Sequence, residues 1–254
     1  MRNFAPPRPG GAAISAHRGG SEGVPAGTYQ AYRTAAGSGA EYVELDIRRT
    51  ADAQLVTHHD AATADGQAIA GLSYAGLCEL AGYEVPLAAD AMRLIAGKAS
   101  GHLDLKESGG ENVIINRALR ILGPGNFVAT TLEDASVAAI KARFPEVPVA
   151  LSLGRNLSEL RWLSRFPARR RELYPLSRIR ACGADWAAMH YRLARAGVLR
   201  QCHRRGIKAM IWTVNDDKAI GRWLADPRVD VVVTDRPGHA AMLRNRLGRA
   251  RSKS

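Results

Sequence analysis

Several short stretches of this chain bring acids, bases and fixed cations close enough in sequence to act on one reagent. Ala40 to Asp60 reads AEYVELDIRRTADAQLVTHHD, with Glu44 and Asp46 two residues apart in a β-branched and apolar run, followed by His58, His59 and Asp60. A strand points residues i and i+2 to one face, so both carboxylates project together. Buried like charges repel unless a cation lies between them or one keeps its proton, which makes the pair a candidate metal site. The plainer reading puts both acids on the solvated face of an amphipathic strand. Against it, Val43, Leu45 and Ile47 form the other face, and a parallel strand covered on both sides would hide the acids too.

Three further stretches carry related chemistry. His17-Arg18-Gly19 sets a titratable ring and a permanent guanidinium on one loop, Asp104 and Lys106 stand two apart in HLDLK, and Trp212 to Asn215 and Thr234 to Pro237 follow late apolar runs. Each has an ordinary reading. A histidine beside an arginine is commonly surface, His59-Asp60 makes a structural hydrogen bond in many proteins, and Asp104 with Lys106 fits a solvated strand end.

The elements that must position these residues alternate along the chain. Candidate strands are Ala12 to Ala16, the Glu44 run, Ser100 to Leu105, Asn126 to Thr130, Val147 to Leu151, Asp185 to Met189, Ile207 to Thr213 and Val229 to Thr234. Helical spacing fills the gaps at Thr28 to Ala36, Leu72 to Leu80, Pro86 to Ala96, Glu111 to Leu122, Leu132 to Phe144, Leu193 to Arg205, Asp216 to Leu224 and His239 to Leu247, with Pro86 suited to a first helical turn. Eight such strands in 254 residues match a (β/α)8 TIM-type barrel. A doubly wound sheet would give a similar alternation. His17, Glu44, Asp46, Asp104, Trp212, Thr234 and Asp235 nevertheless all fall at or near the C-terminal ends of their strands, where a barrel gathers its active site and a doubly wound sheet uses only its switch point.

Composition narrows the class. Hydrophobic content of 46% with 24% charged residues is ordinary for a globular chain. The organisation expected is a flexible segment over 1–11, one domain over 12–243 and a basic tail over 244–254. No apolar run suits a signal or a membrane span, and Cys78, Cys182 and Cys202 are odd in number and widely spaced, so a cytoplasmic protein with reduced thiols is expected. The net charge of +12 splits into −2 for residues 1–106 and +14 for the rest. The Arg155 to Arg180 run and the tail suit weak contact with an anionic membrane, whereas no nucleic-acid motif accompanies them. Nucleotide-cofactor loops and zinc signatures are missing from the sequence.

Taken in order, His17-Arg18-Gly19, Glu44-Leu45-Asp46, His59-Asp60, Asp104-Leu105-Lys106, Trp212-Thr213-Val214-Asn215 and Thr234-Asp235-Arg236-Pro237 resemble the successive signatures of the glycerophosphodiester phosphodiesterase family. The resemblance runs from about Ala12 to Pro237. It implies a (β/α)8 barrel, a divalent cation (Mg²⁺ or Ca²⁺), and hydrolysis of a small glycerophosphodiester to glycerol 3-phosphate and an alcohol, within lipid and glycerol metabolism. By motif, His17 and His59 resemble the general acid/base pair, with His58 the less suited neighbour. Glu44, Asp46 and Asp104 resemble the metal carboxylates. Arg18 and Lys106 resemble the phosphate-binding cations, and Trp212 a substrate contact. The family's mechanism has the glycerol 2-hydroxyl attack phosphorus and water open the resulting cyclic phosphate.

The chemistry asks for this set on its own account. A cation must offset charge growing on phosphoryl oxygens, and one base and one acid must move the two protons. Three carboxylates suit hard Mg²⁺ or Ca²⁺. Two departures stand out: Pro25-Ala26-Gly27-Thr28 replaces the family's usual Pro-Glu-Asn-Thr, and Asp104 stands where glutamate is more usual. Glu22 or a water would have to compensate for the missing acid. A phospholipase D-like activity on lysophospholipids and a non-catalytic barrel that binds phosphorylated ligands are the competing readings.

Overall fold

The strand sequences are rich in Val, Ile, Leu and Ala on both faces, the pattern of a parallel sheet covered outside and filled inside. The structure, a computed structural model, describes residues 11–154 and 162–251. Residues 1–10, most of the segment expected to be flexible, lie outside the described residues, as do 155–161 of the arginine run and the last three positions.

Among the described residues, eight parallel strands close into a barrel: β1 (Ala13–Ala16), β2 (Tyr42–Arg49), β4 (Ser100–Leu105), β5 (Phe127–Thr131), β6 (Val149–Leu153), β7 (Trp186–His190), β8 (Lys208–Trp212) and β9 (Val231–Thr234). Closure comes from β1, which pairs in parallel with both β2 and β9. The eight-stranded expectation holds, with ends shifted by a residue or two. A short strand absent from the sequence reading, β3 (Leu55–Thr57), folds back antiparallel on the end of β2. At three residues it shows no alternation to read.

Helices α1 (Tyr29–Ala35), α2 (Tyr74–Ala81), α3 (Ala88–Ile95), α4 (Glu111–Ile121), α5 (Asp134–Arg143), α6 (Trp162–Leu173), α7 (Leu176–Cys182), α8 (Tyr191–Arg195), α9 (Val198–His203), α10 (Asp217–Ala225) and α11 (Pro237–Arg251) accompany the strands. Two expectations about helices are corrected. Leu193 to Arg205 is not one helix, because Gly197 adopts φ 103° between α8 and α9. Pro86 lies outside α3: its carbonyl accepts the Thr57 N–H at 2.8 Å, so the segment is held extended against β3.

Alternation sorts the strand residues into two shells. Ile14, Val43, Leu45, Leu103, Val149, Leu151, Ile211 and Val232 join the helices in the main core. Tyr42, Val128, Trp186, Met210, Val231 and Val233 form a separate cluster that fills the barrel. Since Tyr42 faces inward, Glu44, Asp46 and Arg48 follow it inward at every second position.

The boundary expected at residue 244 falls inside α11. Arg244 is buried and donates to Glu41 through both terminal nitrogens, at 2.7 and 2.9 Å. It belongs to the barrel rather than to a solvated tail.

Candidate active site

β1 ends in a tight 3-10 turn, His17–Gly19, that turns the chain over the barrel rim. Arg18 adopts φ 52°, a left-handed conformation that costs a non-glycine residue about 1 kcal/mol. Gly19 and Gly20 continue at positive φ, where a Cβ on Gly19 would meet the α1 backbone at 2.9 Å and one on Gly20 would meet Pro237 at 2.8 Å. The glycine after His17-Arg18 is thus what lets α1 pack under the loop.

On β2 and β4 the register places Glu44 beside His102 and Asp46 beside Asp104. Glu44, Asp46 and Asp104 each turn an oxygen to one point, with those atoms within 4.8 Å of one another. Asp46 is 2% exposed, and neither of its oxygens receives a hydrogen bond of good geometry among the described residues. What it has is the Lys106 ammonium, 2.9 Å from Asp46 Oδ1 and 2.5 Å from Asp104 Oδ2.

The titration of the cluster follows from this crowding. Burial pushes the Glu44 carboxyl up to about 7, helped by the Asp46 and Asp104 charges and opposed by His17 and Lys106. Burial would also raise Asp104, but the adjacent Lys106 charge and the Thr130 hydroxyl hold it below its ordinary value. Lys106 is kept firmly protonated despite burial by Asp104, Asp46 and Glu44. Three converging carboxylates, one of them with a lysine ion pair as its sole polar partner among the described residues and one with a raised pKa, fit a hard divalent cation. Positive charge arriving there displaces a proton and satisfies Asp46.

His17 stands next to this cluster, its Nε2 3.6 Å from Glu44 Oε2. Its Nδ1 is 2.6 Å from Asp235 Oδ1. A carboxylate only accepts, so Nδ1 carries the proton in the neutral ring and Nε2 is left free toward Glu44. Burial would lower the His17 pKa, but Glu44 and the Asp235 hydrogen bond outweigh it and the pKa is raised. Asp235 is fixed in turn: Asn215 Nδ2 donates to its other oxygen at 2.5 Å, while Asn215 Oδ1 accepts from the Asp235 N–H at 2.9 Å and from the Thr234 hydroxyl at 3.1 Å.

The remaining sequence candidates are spread round the rim. His59 is 44% exposed on the loop after β3, with Nδ1 2.8 Å from Asp60 Oδ1. That hydrogen bond, with smaller contributions from the His59, His58 and Arg18 charges, outweighs partial burial and lowers the Asp60 pKa. His58 Nδ1 donates to the Asp60 carbonyl at 3.0 Å. Arg18 has a buried Nε without a hydrogen-bond partner among the described residues. Trp212 ends β8, which β9, β1 and β2 separate from β4 round the ring, and packs edge-on to His190 with ring centres 5.3 Å apart. Carboxylates and lysine therefore share one arc, and aromatic rings lie on another.

Glu22 does not replace the missing acid. Its carboxylate accepts the Gly238 and His239 N–H groups, at 2.7 and 3.0 Å, and so caps the start of α11. Pro25 to Thr28 is occupied with local turns: Gly27 donates to the Arg18 carbonyl at 2.7 Å and Thr28 caps α1. Asp104 reaches the cluster despite its short side chain, because it lies directly opposite Asp46 in register. The sequence reading left Asp235, Asn215 and Arg48 without a role. For Asp235 the signal was its place at the end of the last strand.

Comparison with known proteins identifies the family. The profile of the Glycerophosphoryl diester phosphodiesterase family matches residues 17–96 and 102–239. The chain belongs to that family. It is accordingly an enzyme of the glycerophosphodiester phosphodiesterase class. YhdW of Bacillus subtilis (strain 168), whose name assigns it provisionally to the same class, is 25% identical over 244 residues, covering 88% of this chain and 94% of its own. A glycerophosphodiester phosphodiesterase from Parabacteroides distasonis superposes with TM-score 0.74 at 19% identity, over 95% of this chain and 98% of its own. A phosphodiesterase of Oleispira antarctica, solved with the product sn-glycerol-3-phosphate, does so at TM-score 0.69 and 19% identity, over 92% and 97%. Among the described residues no helix is long and apolar enough to cross a membrane.

Proposed function

We propose that this chain hydrolyses a glycerophosphodiester to glycerol 3-phosphate and an alcohol, with His17 and His59 exchanging protons and with Mg²⁺ or Ca²⁺ held by Glu44, Asp46 and Asp104. The observation that carries the reading is the meeting of those three carboxylates within 4.8 Å beside an imidazole whose free nitrogen faces them. The product bound to the Oleispira relative supports the glycerol side of the substrate.

When bound, the cation offsets negative charge growing on the phosphoryl oxygens. The chain's own groups do the rest. Arg18 and Lys106 hold the phosphate, Lys106 exchanging part of its bond to the carboxylates for one to the anion. One histidine takes the proton of the glycerol 2-hydroxyl as that oxygen bonds to phosphorus. The other gives a proton to the departing alkoxide as its P–O bond breaks. Roles reverse when water opens the cyclic phosphate, which returns both rings to their starting state.

The test is to incubate the protein with glycerophosphocholine, lysophosphatidylcholine and a 2-deoxy analogue of glycerophosphocholine, with Mg²⁺ or Ca²⁺, and to follow released choline, which cleavage of any of the three yields, together with glycerol 3-phosphate from the first. Turnover of glycerophosphocholine, lost in excess EDTA and absent for the deoxy analogue, is expected. Full turnover in EDTA would sink the cation site. Cleavage of the deoxy compound at a comparable rate would replace attack by the 2-hydroxyl with direct attack by water, and preference for the lysolipid would move the activity to that substrate class.

A further inference from the structure

Arg48 is the next inward position on β2 after Glu44 and Asp46, and it stands one step above the carboxylates at the barrel rim. Its side chain is 10% exposed. Nε and Nη2 both donate to the backbone carbonyl of His59, at 3.2 and 2.9 Å, and Nη1 donates to Glu107 Oε1 at 2.9 Å. One planar group thus ties the loop that bears His59 to the residue next to Lys106. The need for such a tie is visible in the loop. His59 and Asp60 are exposed, and among the described residues the loop's other hydrogen bonds to its surroundings are backbone ones, from His58 N–H to the Asp46 carbonyl at 2.9 Å and from Ile69 N–H to the Ala61 carbonyl at 3.0 Å. Those bonds fix the loop's two ends.

We infer that Arg48 is a positioning residue, which sets the reach of the His59 imidazole over the barrel mouth by clamping the His59 carbonyl between the β2 rim and Glu107. The inference rests on the proton-transfer role proposed for His59. A charged donor pair on one carbonyl is stronger and more directional than a neutral hydrogen bond. A lysine offers a point charge and cannot grip His59 and Glu107 in one plane. Arg48 touches neither the carboxylate cluster nor His17 through any of its hydrogen bonds. Its removal frees the His59 loop and the Glu107 side chain, and of these two only the loop bears a group of the proposed proton transfer.

That exclusivity supplies the experiment. Arg48→Ala, Arg48→Lys, His59→Ala and the double variant Arg48→Ala/His59→Ala are compared on glycerophosphocholine with saturating Mg²⁺, alongside Mg²⁺ titration and thermal melting. Misplacing a catalytic group by about an ångström costs on the order of 10²-fold, so Arg48→Ala should lose ~10- to 100-fold in kcat with KM and Mg²⁺ affinity within about 3-fold. Arg48→Lys should fall between, and guanidinium added to Arg48→Ala should restore part of the rate. In the double variant the Arg48 change should cost less than ~3-fold beyond His59→Ala, because groups acting as a unit are not additive.

Full additivity, or a loss confined to KM or Mg²⁺ affinity, would overturn the clamp while leaving the proposed hydrolysis in place. An unimpaired His59→Ala would overturn the role of His59 itself, and the clamp with it. If Arg48→Ala does not fold, the same cycle run with Arg48→Lys decides the matter in the same way.

Discussion

At the scale of single residues, the most informative group is one that sequence spacing left without a role. Asp235 lies 218 positions from His17, yet their side chains meet at 2.6 Å because β9 pairs with β1 to close the barrel. No local pattern exposes such a pair. Glu44 and Asp46 were legible for the opposite reason, since the two-residue period of a strand relates them directly. Asp235→Asn keeps the shape but offers an amide to Nδ1, which favours the wrong tautomer or leaves the ring without an orienting charge. In a comparable Asp–His arrangement that change costs about 10⁴ in turnover. Here a loss of at least ~10² in kcat is expected, with cation affinity nearly unchanged because Asp235 is not among the cluster carboxylates. Steady-state kinetics beside a Mg²⁺ titration read both quantities, and a variant within a few-fold of wild type would show that the dyad does not orient the ring.

Elements were legible where their period was long enough to show. The eight barrel strands carry recurring apolar residues over four or more positions, whereas β3 has three residues and the break between α8 and α9 depends on one glycine at positive φ. The inward row of β4 adds a feature that pattern alone misses. His102, 3% exposed, lies between Ser15 Oγ at 3.0 Å and Thr130 Oγ1 at 3.1 Å, while the Thr130 hydroxyl donates to Asp104 Oδ1 at 2.6 Å. With that hydrogen spent, His102 Nε2 must be the donor to Thr130, and in the neutral ring Nδ1 is then the acceptor from Ser15. Burial lowers its pKa to about 4 from an ordinary 6.5. The unfolded chain therefore binds a proton that the folded one refuses between those values. Stability supplied by the neutral ring is complete above about pH 6.5 and is lost as pH falls toward 4, on the order of 3 kcal/mol in all. His102→Gln removes the titration, so its urea-unfolding free energy should fall less steeply over that window than wild type, whatever its value at pH 7. Equal slopes would mean that His102 is protonated in the fold.

Over the whole molecule, the arginines of the basic half are not all free surface charge. The second half reads as +14, but Arg178 is held by Asp134 at 2.7 Å and Glu172 at 3.0 Å, Arg228 pairs with Asp226, and Arg244 is not on the surface at all. Arg244 brings the two ends of the barrel domain together. From α11 it reaches Glu41 at the start of β2, and Glu41 Oε2 also accepts the β1 N–H of Ile14 at 2.9 Å, so the first strand, the second strand and the last helix meet at one ion pair. Desolvating both charges is costly, and the net worth of such a pair over apolar replacements is small. Removing one partner is different, because the other is left buried with its charge uncompensated, at a cost of about 3–5 kcal/mol. Arg244→Met should accordingly lose that much in urea unfolding, softened to the extent that Glu41 keeps the Ile14 bond or takes up a proton. Adding Glu41→Gln, which retains an acceptor for Ile14 and carries no charge, should recover a large part of the loss. Arg246→Gln, two residues on at an exposed position of the same helix, should stay within about 0.5 kcal/mol of wild type. If Arg244→Met were as mild as Arg246→Gln, the basic stretch would act as surface charge throughout, and closure of the barrel would rest on the β1 pairings with β2 and β9 alone.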